Sequence, residues 1–146
     1  MPAIIYVPFG VYIVTDTVEI PVSSRVIGQA WPQIMATGSK FVDPLKPRVA
    51  VRVGLPGQVG VVKIQNMIIT VKGATAGAIM MEWNIHESGQ GSAGLWDTHF
   101  RVGGAAGTDL TVKDCPKLSG KVNPNCVAAS LMLHLTPDSS SYFKNV

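Results

Sequence analysis

The apolar positions of this chain fall in runs of three to seven residues, most of them closed by Gly, Pro or a polar pair. The runs occupy residues 4–7, 11–14, 18–20, 25–27, 49–53, 59–64, 67–71, 79–83, 95–102, 110–112, 129–135 and 142–146. Short runs bounded by turn residues and rich in branched side chains read as strands. No stretch of about 12 residues keeps a helical apolar period free of Gly and Pro, so helices are not expected.

Composition points the same way. Val occurs 19 times and Ile 11 times against 8 Leu, and branched Cβ atoms suit a pleated strand better than a helix. Fifteen Gly and ten Pro supply the turns. The 146 residues leave room for one compact domain, and 47% hydrophobic residues exclude intrinsic disorder. No apolar run approaches the ~18–20 residues of a membrane span. The start, broken by Pro8, lacks the basic region of a signal peptide. The formal net charge of +3 carries little information about partners. Lys113, Lys117 and Lys121 form too thin a cluster for a nucleic-acid footprint.

Arg25-Val26-Ile27-Gly28, Val51-Arg52-Val53-Gly54 and Phe100-Arg101-Val102-Gly103 repeat one phrase at steps of 26 and 49 residues. The runs at 79–83 and 129–135 fit the same series, whose period is about 25 residues. Such a period, with two or three short strands in each turn, predicts a parallel β-helix of about five coils. A β-sandwich with turns every ~8–12 residues is the alternative. Both ends read as cut, the last run opening a strand with no turn after it, so one incomplete domain over 1–146 is expected.

The candidate chemistry is sparse. Gly89-Gln90-Gly91-Ser92-Ala93-Gly94 fits G-x-G-x-x-G, but strand-forming residues follow it where a dinucleotide fold needs a helix. Cys115 and Cys126 lack the spacing and nearby His of a zinc site. A loop disulfide in an oxidising compartment is expected, with two reduced thiols in a cytosolic chain as the alternative. His86, His99 and His134 show no metal-ligand spacing, and no cofactor is expected. Glycoside hydrolysis needs two carboxylates flanking the scissile bond. Glu82 and Asp97 are the in-chain candidates, each beside an indole, Trp83 and Trp96, that could pack on a pyranose ring. The bland reading of each is a carboxylate at a strand end beside a half-buried Trp.

The opening Tyr6-Val7-Pro8-Phe9-Gly10-Val11-Tyr12-Ile13-Val14, with Ile20-Pro21 and Arg25-Val26-Ile27-Gly28-Gln29, resembles the start of pectate-lyase-like β-helices. Three later blocks are narrower: Val51-Arg52-Val53-Gly54-Leu55-Pro56-Gly57; Thr75-Ala76-Gly77-Ala78-Ile79 running into Glu82-Trp83-Asn84; and Ser92-Ala93-Gly94-Leu95-Trp96-Asp97-Thr98-His99-Phe100-Arg101-Val102-Gly103-Gly104. These resemble fungal glycoside hydrolase family 55, the exo-β-1,3-glucanases or glucan 1,3-β-glucosidases. The resemblance implies a secreted, inverting enzyme of two tandem right-handed β-helices with a β-1,3-glucan cleft between them. It implies that this chain is a fragment of the second helix, partnered by a first helix absent from it. The catalytic Glu is then expected beyond Val146, leaving no catalytic residue to assign here. A non-catalytic, glucan-binding remnant is the alternative function. A pectate-type enzyme is disfavoured because the acidic residues lie too far apart in sequence.

Overall fold

The computed structural model describes residues 2–117 and 120–146, and these contain strands and two 3₁₀ turns but no α-helix. Every strand pairing is parallel, which excludes the sandwich, whose sheets are antiparallel. Parallel neighbours cannot be joined by a hairpin, so the chain must travel before it returns. Here it travels through two or three other sheets.

The first passage runs β1 (Ala3–Val7), β2 (Val11–Val14) and β3 (Val18–Ile20). The second adds β4 (Ser24–Gly28), β5 (Gln33–Ala36), β6 (Arg48–Val53) and the short β7 (Val59–Gly60). The third repeats it with β8 (Val62–Gln65), β9 (Ile68–Val71), β10 (Ala78–Trp83) and β11 (His86–Glu87). Then come β12 (Ala93–Trp96), β13 (His99–Arg101), β14 (Leu131–Leu135) and β15 (Tyr142–Lys144). The sheets are ordered β1-β4-β8-β12-β15, β2-β5-β9-β13 and β3-β6-β10-β14, with β7-β11 as a fourth pair. This is a parallel β-helix.

Inward side chains of successive coils stack to make the core. Val26, Ile64 and Leu95 lie in register and are buried, with Ile5 above and Phe143 below them. Val51 over Met81 and Val53 over Trp83 fill the second wall, and Ile34, Ile69 and Phe100 the third. No coil could bury these residues by itself; stacking does.

The repeated phrase marks the fold class but not equivalent positions. Arg25–Gly28 lies in β4, Val51–Val53 in β6 and Phe100–Arg101 in β13, which belong to three different sheets. Only the runs at 49–53, 79–83 and 129–135 stack as the period predicts. The structural repeat varies in length because corner loops vary, which the in-register stack Ile5, Val26, Ile64, Leu95, Phe143 makes plain.

Four details of the strand reading need correction. Residues 33–36 and 86–87 form strands that polar Gln33 and His86 disguise. Residues 95–102 are two strands of different sheets, divided where Asp97 turns left-handed at φ 49°. Residues 59–64 split likewise at Val61. The run at 110–112 is not a strand; it sits in a long excursion between β13 and β14. Thr75 bridges to Ala128 where that excursion rejoins the coils.

Candidate functional site

Two outer faces of the helix carry polar and aromatic side chains in rows, because parallel register places equivalent positions above one another. On the β3-β6-β10-β14 sheet the register aligns Glu19, Arg52, Glu82 and His134. Arg52 donates from Nη1 to Glu19 Oε1 at 3.0 Å and from Nε to Glu82 Oε1 at 3.2 Å. Asn84 donates to the same Glu82 oxygen at 3.0 Å, and His134 Nδ1 stands 3.7 Å from Oε2.

The Glu82 side chain is only 17% exposed. Burial by itself would raise its pKa. The hydrogen bonds from Asn84 and Arg52, with the charges of Arg52 and His134, outweigh burial and hold the carboxyl below its ordinary range. Glu82 is therefore an ionised, anchored carboxylate. Beside it opens a cavity of about 280 Å³ lined by Thr17, Pro47, Arg48, Val49, Arg52, Ile79 and Glu82. At its rim Asp16 accepts hydrogen bonds from Lys40, from the Thr17 backbone N–H and from Arg48. Those bonds hold its carboxyl far below the usual range.

The other face belongs to the β1-β4-β8-β12-β15 sheet. Trp96 and Tyr142 lie with ring centroids 5.9 Å apart and planes 32° from parallel, and Lys63 Nζ stands 5.7 Å from the Trp96 ring. Gly94, between them, makes this possible. A Cβ there would run into the Tyr142 carbonyl oxygen and come within 3.2 Å of the Trp96 ring edge. The indole thus folds back over a bare backbone. Tyr142 is 48% exposed, leaving an aromatic step beside a cation.

The remaining sequence candidates fall elsewhere. Trp83 is wholly buried, donates its indole N–H to Ile85 O at 3.0 Å and meets Phe143 edge-to-face. It is a core residue with no ring face open to a ligand, contrary to the expectation that it contacts sugar. Alternation along β10 explains this, since Glu82 and Trp83 must point opposite ways. Asp97 lies at the corner between two sheets, where its Oδ1 accepts from Asn145 Nδ2 at 2.6 Å. Glu82 and Asp97 therefore sit on different parts of the surface and share no partner, so they do not converge on one groove.

Cys115 and Cys126 are joined as a disulfide inside the excursion, as expected. Among the described residues no group of three His, Cys, Asp or Glu could hold a metal ion.

Sequence reading missed Arg52, Glu19 and His134 as neighbours of Glu82. The signal was present, since Arg52 and Glu82 occupy matching places in runs one coil apart. It also missed Trp31, a 46% exposed indole whose N–H reaches Asp97 O at 2.9 Å and whose ring lies 6.5 Å from His99.

No family model matches the chain. It is 58% identical over 142 residues to the "Non-secreted LysM effector LysM19" of Penicillium expansum, covering 97% of this chain and 11% of that protein. It is 41% identical over 145 residues to the "Probable glucan endo-1,3-beta-glucosidase" of Arthroderma benhamiae, covering 97% and 16%. It is 40% identical over 143 residues to the "Glucan 1,3-beta-glucosidase" of Cochliobolus carbonum, covering 97% and 18%. The chain thus spans less than a fifth of the length of these relatives. Over nearly its whole length, then, the chain is similar to one segment of fungal proteins named glucan 1,3-β-glucosidase or glucan endo-1,3-β-glucosidase, in keeping with the family 55 resemblance of its motifs.

Proposed function

We propose that this chain is one stretch of a longer, secreted β-helix protein, an inverting exo-β-1,3-glucanase, and that it contributes sugar-binding surface while the catalytic acid lies outside it. The observation that carries this reading is the 40–41% identity, over 97% of the chain, to one protein named a glucan 1,3-β-glucosidase and one named a probable glucan endo-1,3-β-glucosidase, both β-1,3-glucan hydrolases by name. The partner that completes the cleft is another β-helix of the same protein.

Site chemistry supports placing the acid elsewhere. An acid that protonates a leaving group needs a raised pKa, and inversion needs a second carboxylate ~6.5–9.5 Å away. Glu82 is held ionised by Arg52 and Asn84, and Asp97 is taken up by Asn145. Trp96, with Tyr142 and Lys63 beside it, supplies the aromatic step that a pyranose ring packs against.

The test is glucose release from laminarin by the full-length protein, with the anomer of the first product read by NMR. Release of α-glucose supports the reading. Laminarin binding with no glucose released would support the second function, a non-catalytic glucan-binding helix. Secretion is tested by fractionating culture medium and cells. The disulfide supports an oxidising destination, whereas the 58% identical relative is named as non-secreted.

A further inference from the structure

We infer that the cavity between Thr17, Arg52, Ile79 and Glu82 is a second sugar subsite, a pocket for one neutral hexopyranose residue, on a different face of the helix from Trp96. The inference rests on the reading of the whole protein as one that acts on β-1,3-glucan.

Size is the first argument. About 280 Å³ falls just below the ~300–1,000 Å³ of pockets that take drug-sized ligands, so the cavity fits one ring and not a chain. Its lining is the second. The lining is mostly polar, with Arg52, Glu82 and Thr17 around the half-buried Ile79, which is the apolar contact left for a pyranose C–H, since Val49 is buried in the core.

Free hydrogen-bonding capacity is the third argument. Glu82 Oε1 already accepts from Arg52 and Asn84, but Oε2 has only His134 nearby, at 3.7 Å. Arg52 spends Nε and Nη1 on Glu82 and Glu19, and Nη2 makes no hydrogen bond among the described residues. One acceptor and one donor, both on planar groups fixed by a half-buried ion pair, suit a pair of adjacent ring hydroxyls.

Charge decides the class of sugar. Around the cavity Lys40, Arg48 and Arg52 are matched by Asp16, Glu19 and Glu82, joined as ion pairs. Three cations balance three carboxylates, and His134, on β14 across β10 from Arg52, does not line the cavity, so the strip offers little net field to a uronate or a phosphate. A neutral sugar pays no charge penalty there.

The experiment titrates the full-length protein with D-glucose by calorimetry, reading stoichiometry and Kd. Ile79→Trp, which fills the cavity without touching an ion pair, is expected to bind one glucose fewer than the natural protein. Arg52→Gln is expected to weaken that site by about tenfold or more. Trp96→Ala should leave it within about twofold, and galacturonate should not occupy it. Unchanged stoichiometry and Kd in Ile79→Trp, with the thermal midpoint showing the variant folded, overturn the subsite. Should Arg52→Gln fail to fold, Ile79→Trp decides alone. Galacturonate binding as tightly as glucose overturns the neutral-sugar assignment. Laminarin binding and hydrolysis are measured in parallel. Loss of both in the natural protein overturns the functional reading, while loss of the glucose site alone overturns only the pocket.

Discussion

Asn145 donates its side-chain amide to Asp97 Oδ1 at 2.6 Å, one coil apart along a single corner of the helix. Asn66, Asp97 and Asn145 occupy equivalent places there, each just after the in-register residues Gln65, Trp96 and Lys144. All three are left-handed, with φ of 56°, 49° and 55°. Asn and Asp tolerate that region because a short polar side chain can satisfy the bent backbone locally. The corner also passes backbone hydrogen bonds from coil to coil, Asn66 N to Trp96 O and Asp97 N to Lys144 O, both 3.1 Å.

Asp97 is accordingly a structural residue, and its substitutions should behave so. Asp97→Ala loses the Asn145 hydrogen bond and places a residue poorly suited to the left-handed region there. Together these should lower stability by about 1–3 kcal/mol. Asp97→Asn keeps both features and should change stability by less than ~0.5 kcal/mol. Urea unfolding of the full-length protein measures both. If Asp97→Asn leaves stability intact but abolishes glucose release, a role at the corner is insufficient and Asp97 acts in catalysis.

How far the sequence revealed this corner shows where its legibility ends. Branched runs, Gly and Pro announced short strands, and most of those strands are where the runs lie. The parallel helix followed from recurrence, yet the phrase that suggested it lies in three sheets, because a short apolar run carrying one Arg and closed by Gly suits any wall of such a helix. Register is what sequence hides. Whether Arg52 faces Glu82, or Asp97 meets Asn145, depends on loop lengths between coils, and these differ at every turn. Trp83 was misread because it adjoins Glu82 in sequence, whereas alternation along β10 turns the two side chains to opposite faces and sends Trp83 into the core. The Cys pair was legible because its loop is local.

Trp83 and Trp96 should separate cleanly in mutagenesis. Trp83→Ala empties a fully buried site and should destabilise by about 3–5 kcal/mol. Trp96→Ala, on the outer face, should shift stability by no more than about 1 kcal/mol while weakening laminarin retention in affinity electrophoresis by about tenfold. Equal laminarin retention by Trp96→Ala and the natural protein, with both folded, would remove Trp96 from the sugar-binding surface.

Gly94→Ala tests how the aromatic step is built. The added methyl cannot coexist with the Tyr142 carbonyl oxygen in the present position of β15, and it crowds the Trp96 ring. Relief requires β15 to move off β12, so stability should fall by about 1–3 kcal/mol. The Trp fluorescence should report a changed environment for Trp96. An unaltered spectrum and an unaltered unfolding midpoint would mean that the close approach of β12 and β15 does not exist in solution.

The disulfide joins residues 11 apart in an excursion whose described residues add no strand to the three walls. Closing so short a loop should stabilise by at most about 3 kcal/mol, and the effect should stay local. Cys115→Ser with Cys126→Ser should therefore open the segment between β13 and β14 to limited proteolysis first, leaving the coils protected. Fragments ending near residues 112–122 are the expected product. Cleavage that begins within β6 or β10 instead would show that the bridge supports the coils themselves.

Glu82 links the two themes of charge and register, and it makes stability depend on pH in a defined direction. Its pKa in the folded protein lies below the ordinary Glu value. The unfolded state therefore binds the proton more readily, and the ionised carboxylate favours the fold at neutral pH. That contribution is complete above the unfolded pKa and is lost as pH falls through the folded one. Glu82→Gln should be less stable than the natural protein at pH 7, because Arg52 then retains only Glu19 as an anionic partner. The gap should narrow as the pH drops below the unfolded pKa and through the lower folded one, where the natural carboxylate is itself protonated. Unfolding curves at pH 7 and pH 3 measure the gap directly. A gap that widens on acidification would reverse the sign required of a carboxylate held in its charged form, and the Arg52–Glu82 pair could not then be what keeps Glu82 ionised.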